Sequence, residues 1–334
     1  MAENAEIRPK YSRQQLTDII STIGHNKILP AIISCMVFFA LGGILSPGYT
    51  SITNLGNILA SASILALAAA GQTLVILSGH DGIDLSIGEV MSLTAVTTYM
   101  VLNGNDSRIP LAILVAIALG TIIGFFNGIG IVFAGLPPLV MTLGMSAVVQ
   151  GLVFASNAGG TPIGKASPLL LSIASGRLGP MRYLAIVGLL VIIIIELILS
   201  RTNYGKQLYL VGNNRSAARL CGIPINPLII ATYLVSGALS GIAGFFLLGY
   251  AGTANLDLGG SYTVLTIAAV VIGGTQLSGG EGGYLGTFIG SVLMVLLTTV
   301  LISVGVSAAV REILVGFFLM LTLFAYARAP KLRQ

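Results

Sequence analysis

The stretch "LVGNNRSAARLCGIP" (210–224) decides how this chain is arranged, because it is polar and lies between two long apolar runs. It carries Arg215 and Arg219 four residues apart, two adjacent asparagines, and a glycine near each end. Two interpretations fit such a segment. It is either a basic loop that meets lipid phosphates or a docking helix for another protein, and the surrounding runs determine which side of a membrane it occupies.

The composition around this stretch is that of a membrane protein. Of 334 residues, 55% are hydrophobic and only 8% are charged, and the mean hydropathy is +0.97. A soluble domain carries roughly a quarter charged residues. One core cannot bury this much apolar surface, and the 43 glycines suit closely packed membrane helices. The net charge of +5 is spread over the flanks of the apolar runs, which argues against a nucleic-acid partner.

Ten apolar runs approach the length of about 17 to 25 residues that crosses a bilayer as a helix. We therefore predict an all-α polytopic membrane protein with about ten transmembrane helices. The predicted spans are 28–46, 55–77, 85–103, 109–134, 138–156, 182–200, 226–250, 261–277, 285–305 and 310–327.

Charge placement gives this topology an orientation. An even number of spans puts both termini and the connector 201–224 on one side, together with 11 of the 16 lysines and arginines. The positive-inside rule makes that side the cytoplasm. We predict a cytoplasmic segment with a short surface helix over 1–27, one transmembrane domain over 28–327, and a cytoplasmic tail over 328–334.

The connector itself has the signals of a short helix. Asn213 or Asn214 can cap it through a side-chain oxygen. Gly222 can end it in a left-handed conformation, and Pro224 prevents a simple continuation into the next span. Both arginines then fall on one face, one turn apart, and this like-charge pair indicates an anionic neighbour.

No catalytic, metal or cofactor site is predicted. The string "GGTPIGKA" (159–166) nearly matches a phosphate-binding loop, but Ala166 stands where that loop needs a hydroxyl. Any ATP must therefore be hydrolysed on another chain. His80, Asp81 and Asp84 form a possible metal-binding set, which we interpret as a structural turn in which Asp84 accepts hydrogen bonds from a helix start.

The middles of the spans carry amides and hydroxyls rather than charges. Such side chains can bind a neutral polyol weakly enough to release it, or they can bond across helix interfaces. The candidates to line a solute pathway are Gln72, Ser92, Asn127, Thr142 and Ser146.

Four blocks together resemble the permease of bacterial ABC importers for monosaccharides such as ribose, arabinose, xylose or galactose. They occur in that family's order and span most of the chain. The blocks are "GIDLSIGEVMSLTAV" (82–96), "FFNGIGIVFAGLPPLVMTLG" (125–144), "GNNRSAARLCGI" (212–223) and "IAAVVIGGTQLSGGEGGYLGTFIG" (267–290).

The resemblance implies an inner-membrane protein with defined partners. These are a second permease subunit, identical or paralogous, a cytosolic ATPase, and a periplasmic sugar-binding protein. It also implies that the connector docks on the ATPase. The residues that match the family's connector are Gly212, Asn213, Ala217, Ala218, Gly222 and Ile223, and the charge argument adds Arg215 and Arg219.

The chain departs from the family pattern at a few positions. His80 and Asp81 look inserted before the first block, Glu281 stands where arginine is common, and Cys221 replaces a common serine.

An ion-coupled carrier or channel is the alternative function. It calls for a buried ionisable pair or a broken helix at mid-membrane.

Overall fold

The structure is a computed structural model that describes residues 28–327. Within that range the chain forms thirteen α-helices and one two-stranded ribbon, which confirms the all-helical prediction. The predicted surface helix in 1–27 and the tail 328–334 lie outside the described residues.

The elements follow one another along the chain with short connections. The helices are α1 Leu29–Leu45, α2 Ile52–Leu77, α3 Ile87–Leu102, α4 Ile109–Val132, α5 Pro138–Ser156, α6 Pro168–Ser175, α7 Tyr183–Arg201, α8 Asn203–Asn213, α9 Arg215–Leu220, α10 Ile225–Ala251, α11 Tyr262–Ile272, α12 Tyr284–Ser303 and α13 Ala308–Ala327. Strands β1 Arg177–Leu178 and β2 Met181–Arg182 pair antiparallel.

Six helices are long and apolar enough to cross a membrane, namely α2, α5, α7, α10, α12 and α4 with the short turn before it. The polytopic class is thereby confirmed, while ten crossings stay a prediction. The predicted span 261–277 is too long, because α11 ends at Ile272 and Gly273 and Gly274 follow. The 11 residues of α11 extend about 16 Å at 1.5 Å per residue, well short of the bilayer core of about 30 Å.

Burial divides the long helices into central and peripheral ones. In α2, 89% of the most apolar window is buried, and in α10 the share is 61%. In α5 it is only 17%, although this helix is also strongly apolar. Helices α2 and α10 therefore form the centre of the bundle, while α5 presents most of its surface outward.

Glycine permits a very close contact in the bundle at the crossing of α4 with α10. A Cβ atom added at Gly120 would fall on the carbonyl oxygen of Gly237, and one added at Gly237 would fall on the carbonyl oxygen of Gly120. Gly124 approaches the carbonyl oxygen of Tyr233 in the same way. The two backbones therefore touch directly, as small residues allow in membrane helices.

The loops collect at two ends of the bundle. At one end, the amide of Gly280 donates to the carbonyl oxygen of Leu77 at 3.1 Å. At the other end, Arg177 and Arg182 both donate to Asn57 Oδ1, at 2.9 and 2.7 Å. Residues 57 and 77 of α2 are about 30 Å apart along the helix. The loops that the topology prediction puts on one side thus share one end.

The glycine crossing predicts a difference between two Gly→Ala variants. Gly237→Ala should lower the thermal unfolding midpoint of the purified permease, because overpacking a tight contact costs about 1–3 kcal/mol. Gly151→Ala in α5 is the matched control, since nothing lies within 4 Å of an added Cβ atom. There, alanine should be neutral or stabilising. Equal midpoints for the two variants would contradict the crossing.

Candidate functional site

The connector folds as two consecutive helices, α8 and α9. The Thr202 side chain caps α8, and Asn214 Oδ1 caps α9 by accepting the amide of Ala217 at 3.0 Å. Of the two predicted caps, Asn214 is therefore the correct one. Gly222 has a φ of 75°, which confirms the predicted left-handed end of α9.

The end of α8 is fixed to the helical bundle through two glycine-rich turns. A Cβ atom added at Gly212 would fall on the carbonyl oxygen of Leu77. The side-chain Nδ2 of Asn213 donates to the carbonyl oxygen of Gly280 at 3.0 Å, and the Tyr209 hydroxyl donates to the carbonyl oxygen of Gly282 at 2.9 Å. Gly212 and Asn213 thus join the connector to α2 and to the turn before α12, although Asn213 remains exposed.

One face of α9 packs against the bundle. Ala218 is only 3% exposed and lies in one apolar cluster with Leu208, Val211 and Tyr233. Arg215 is partly buried, and its Nε atom has no hydrogen-bond partner among the residues that the structure describes. Burial lowers the pKa of Arg215, an effect that the nearby Tyr233 hydroxyl opposes.

The remaining surface of α9, which we call its outward face, is exposed. It carries Ala217, Arg219 and Leu220, followed by Cys221, and Leu220 is 90% exposed. Arg215 and Arg219 lie one turn apart on one side of this helix, as expected, but Arg215 is partly buried whereas Arg219 is exposed. Sequence reasoning missed Leu220, which looked like an ordinary helix-propagating residue.

A second feature is a polar cluster around Asp84, in the loop between α2 and α3. Asp84 is buried, and its Oδ1 atom accepts from the amide and the hydroxyl of Ser86 at 3.0 and 2.6 Å. Its Oδ2 atom accepts from the Ser236 hydroxyl at 2.9 Å. Since Ser86 is the N-cap residue of α3, the predicted helix-start role of Asp84 is confirmed.

Three of the five predicted pathway residues hold this loop from neighbouring helices, and all three are fully buried. Gln72 Oε1 accepts from the amide of Asp84 at 3.3 Å. Asn127 Nδ2 donates to Ser86 Oγ at 2.9 Å, and Thr142 Oγ1 donates to the carbonyl oxygen of Ile83 at 3.1 Å.

The other two predicted pathway residues lie elsewhere. Ser92 is buried and accepts from the amide of Gly259 at 2.9 Å, which ties α3 to the loop before α11. Ser146 lies partly exposed on α5. In this conformation the four buried residues form hydrogen bonds across helix interfaces, which was the alternative to lining a pathway. Of the five candidates, only Ser146 offers surface to a solute.

Ser236 and Tyr233 belong to this region but were missed from the sequence. A signal was present, because Thr232, Ser236 and Ser240 recur every four residues in an otherwise apolar helix. That spacing puts them on one face of α10. The inserted residues His80 and Asp81 lie in an exposed turn nearby, both with left-handed φ angles of 57° and 56°.

A polytopic helical bundle with a structured connector at one end is the architecture of a membrane permease. Comparison with known proteins gives the family. The chain belongs to the family described as branched-chain amino acid transport system / permease component, which matches residues 54–323.

Curated relatives cover nearly the whole chain. The autoinducer 2 import system permease protein LsrC of Enterobacter sp. (strain 638) is 32% identical over 301 residues, 90% of this chain and 87% of its own length. The ribose import permease protein RbsC of Escherichia coli (strain K12) is 32% identical over 296 residues, which are 87% of this chain and 91% of its own length. No solved structure matches the chain. These relatives confirm the resemblance to sugar-importer permeases.

The two faces of α9 predict opposite effects at adjacent alanines. Ala218→Glu should lower the thermal unfolding midpoint of the purified permease, because an unpartnered buried polar group costs about 1–3 kcal/mol or more. Ala217→Glu should leave the midpoint unchanged, since residue 217 is exposed. Equal losses at both positions would show that α9 does not pack as described.

Proposed function

We propose that this chain is the permease subunit of an ATP-binding-cassette importer in a bacterial inner membrane, with both termini in the cytoplasm. It imports a monosaccharide or a related small polyol, and a partner ATPase hydrolyses the ATP. The observation that carries the proposal is the connector, which exposes one face at one end of the bundle and is fixed to the bundle by the other. The 32% sequence identity to a ribose import permease over most of the chain supports the same function.

The outward face of α9 has the composition of a docking site. An exposed leucine beside an arginine supplies an apolar anchor with a charged rim, and burying such a leucine against a partner is favourable by about 1.5–3 kcal/mol. Because Gly212 and Asn213 fix the same connector to α2 and to the turn before α12, a push on α9 would reach the centre of the bundle.

The remaining partners follow from the same proposal. A second permease subunit, identical or paralogous, completes the pathway, and a periplasmic sugar-binding protein delivers the solute. Helix α5, with 17% of its apolar window buried, offers surface to lipid or to that second subunit. Ser146 on this helix is the predicted pathway residue best placed to meet a solute.

One observation favours the alternative, an ion-coupled carrier. Asp84 is a buried carboxyl inside the bundle, and transporters of that class couple ions at buried ionisable groups.

Uptake by reconstituted vesicles separates the two functions. With [¹⁴C]ribose as the first probe of a sugar panel, the importer requires ATP, the ATPase and the binding protein together, and an imposed ion gradient does not replace them. Uptake driven by a proton or sodium gradient without the ATPase would refute the importer and support the carrier.

Docking through α9 predicts that Leu220→Glu weakens ATPase association by about 30-fold, since an anchor residue contributes about 2 kcal/mol. The permease itself should remain folded, because Leu220 is outside the apolar core. Leu178→Glu is the matched control. It changes a leucine that is 64% exposed in the ribbon at the opposite end of the bundle. Normal co-purification of the ATPase with Leu220→Glu would overturn the docking assignment.

A further inference from the structure

Four buried polar atoms in the region of Asp84 and α9 have no hydrogen-bond partner among residues 28–327. They are Gln72 Nε2, Asn127 Oδ1, the Tyr233 hydroxyl and Arg215 Nε. A buried polar group without a hydrogen-bond partner is costly, so a folded protein rarely leaves several of them together. The amides are held in place, since Gln72 and Asn127 each use their other polar atom to bind the Asp84 loop.

Tyr233 stands between the two ends of this set. It lies three residues before Ser236 on α10, hence on the same side of the helix as the serine that donates to Asp84. It belongs to the same apolar cluster as Ala218 of α9. The hydroxyl is within electrostatic range of both the Asp84 carboxyl and the Arg215 guanidinium.

The chemistry of the unsatisfied atoms identifies what fits among them. Gln72 Nε2 and Arg215 Nε only donate, Asn127 Oδ1 only accepts, and a tyrosine hydroxyl does both. The donors would repel a metal cation, and the carboxyl would repel an anion. Water satisfies donors and acceptors together, and buried waters occupy polar sites of this kind.

We propose that ordered water links Asp84, Tyr233 and Arg215, and that this hydrated relay ties the position of α9 to the loop at the centre of the bundle. The proposal rests on the coupling function above for its purpose. Arg215 is thus a positioning residue rather than a docking residue. When α9 moves, the Arg215 guanidinium moves relative to Tyr233, and the support of the Asp84 loop changes with it.

A double-mutant cycle on the isolated permease tests whether the relay exists, without any ATPase. The losses in thermal unfolding midpoint caused by Tyr233→Phe and Arg215→Gln should be non-additive, because either change alone breaks the link. Tyr233→Phe with Arg219→Gln is the matched cycle and should be additive, since Arg219 is exposed one turn further along α9. Additivity in both cycles would overturn the relay.

The reconstituted complex tests what the relay does. Tyr233→Phe should retain normal ATPase co-purification but lower solute uptake per ATP hydrolysed several-fold, whereas a merely structural role would lower uptake and hydrolysis in proportion. An unchanged ratio of uptake to ATP hydrolysis would refute the coupling role.

The two proposals fail separately. Wild-type uptake that needs no ATP would refute the importer and leave the stability cycle standing. ATP-dependent uptake with an additive cycle would refute the relay alone. An electron-microscopy map of the assembled complex should also show water density between the Gln72 amide and the Tyr233 hydroxyl, and side-chain contact that leaves no space for water would contradict the hydrated link.

Discussion

Direct contact between the backbones of α4 and α10 is the constraint on which the rest of the structure depends. Gly120 and Gly237 have no Cβ atoms, so the two helices approach until each glycine contacts the other's carbonyl oxygen. The crossing brings Ser236 of α10 and Asn127 of α4 to the same loop. A buried carboxyl is tolerated there because three donor groups from Ser86 and Ser236 satisfy it. Apolar packing thus brings the two helices together around the Asp84 loop, and hydrogen bonds stabilise the carboxyl buried there.

The same use of glycine connects the bundle to its polar end. Gly79, Gly212 and Gly280 come from three separate segments, and an added Cβ atom at any of them would meet the backbone or side chain of another segment. The connector is consequently part of the bundle on one face and free on the other. This division explains why a small residue such as Ala218 occurs inside α9 while the larger Leu220 lies outside.

Sequence reasoning predicted the parts of this protein that depend on length and local geometry. The helical class, most span boundaries, a cap at Asn213 or Asn214 and the left-handed Gly222 follow from apolar run length and from backbone preferences. The faces of the helices were harder to predict, because a helix that is apolar all round has no polar side to show which residues are buried. The assignment of Ala218, Arg215 and Leu220 to faces therefore required the structure. The burial of Asp84 also required the structure. The residue lies close in sequence to a predicted span end, and that distance does not reveal a loop that folds back into the bundle.

The central claim, that the connector faces the cell interior, can be measured directly at Cys221, which is exposed at the end of α9. In a Cys35→Ser background it is the single cysteine of the chain. A membrane-impermeant maleimide should leave it unmodified in right-side-out vesicles and label it in inverted ones. The variant Ile163→Cys, with Cys35 and Cys221 both replaced by serine, carries its one cysteine in the exposed loop at the opposite end and should show the reverse pattern. Labelling of Cys221 from the outside would contradict the topology and the coupling mechanism built on it.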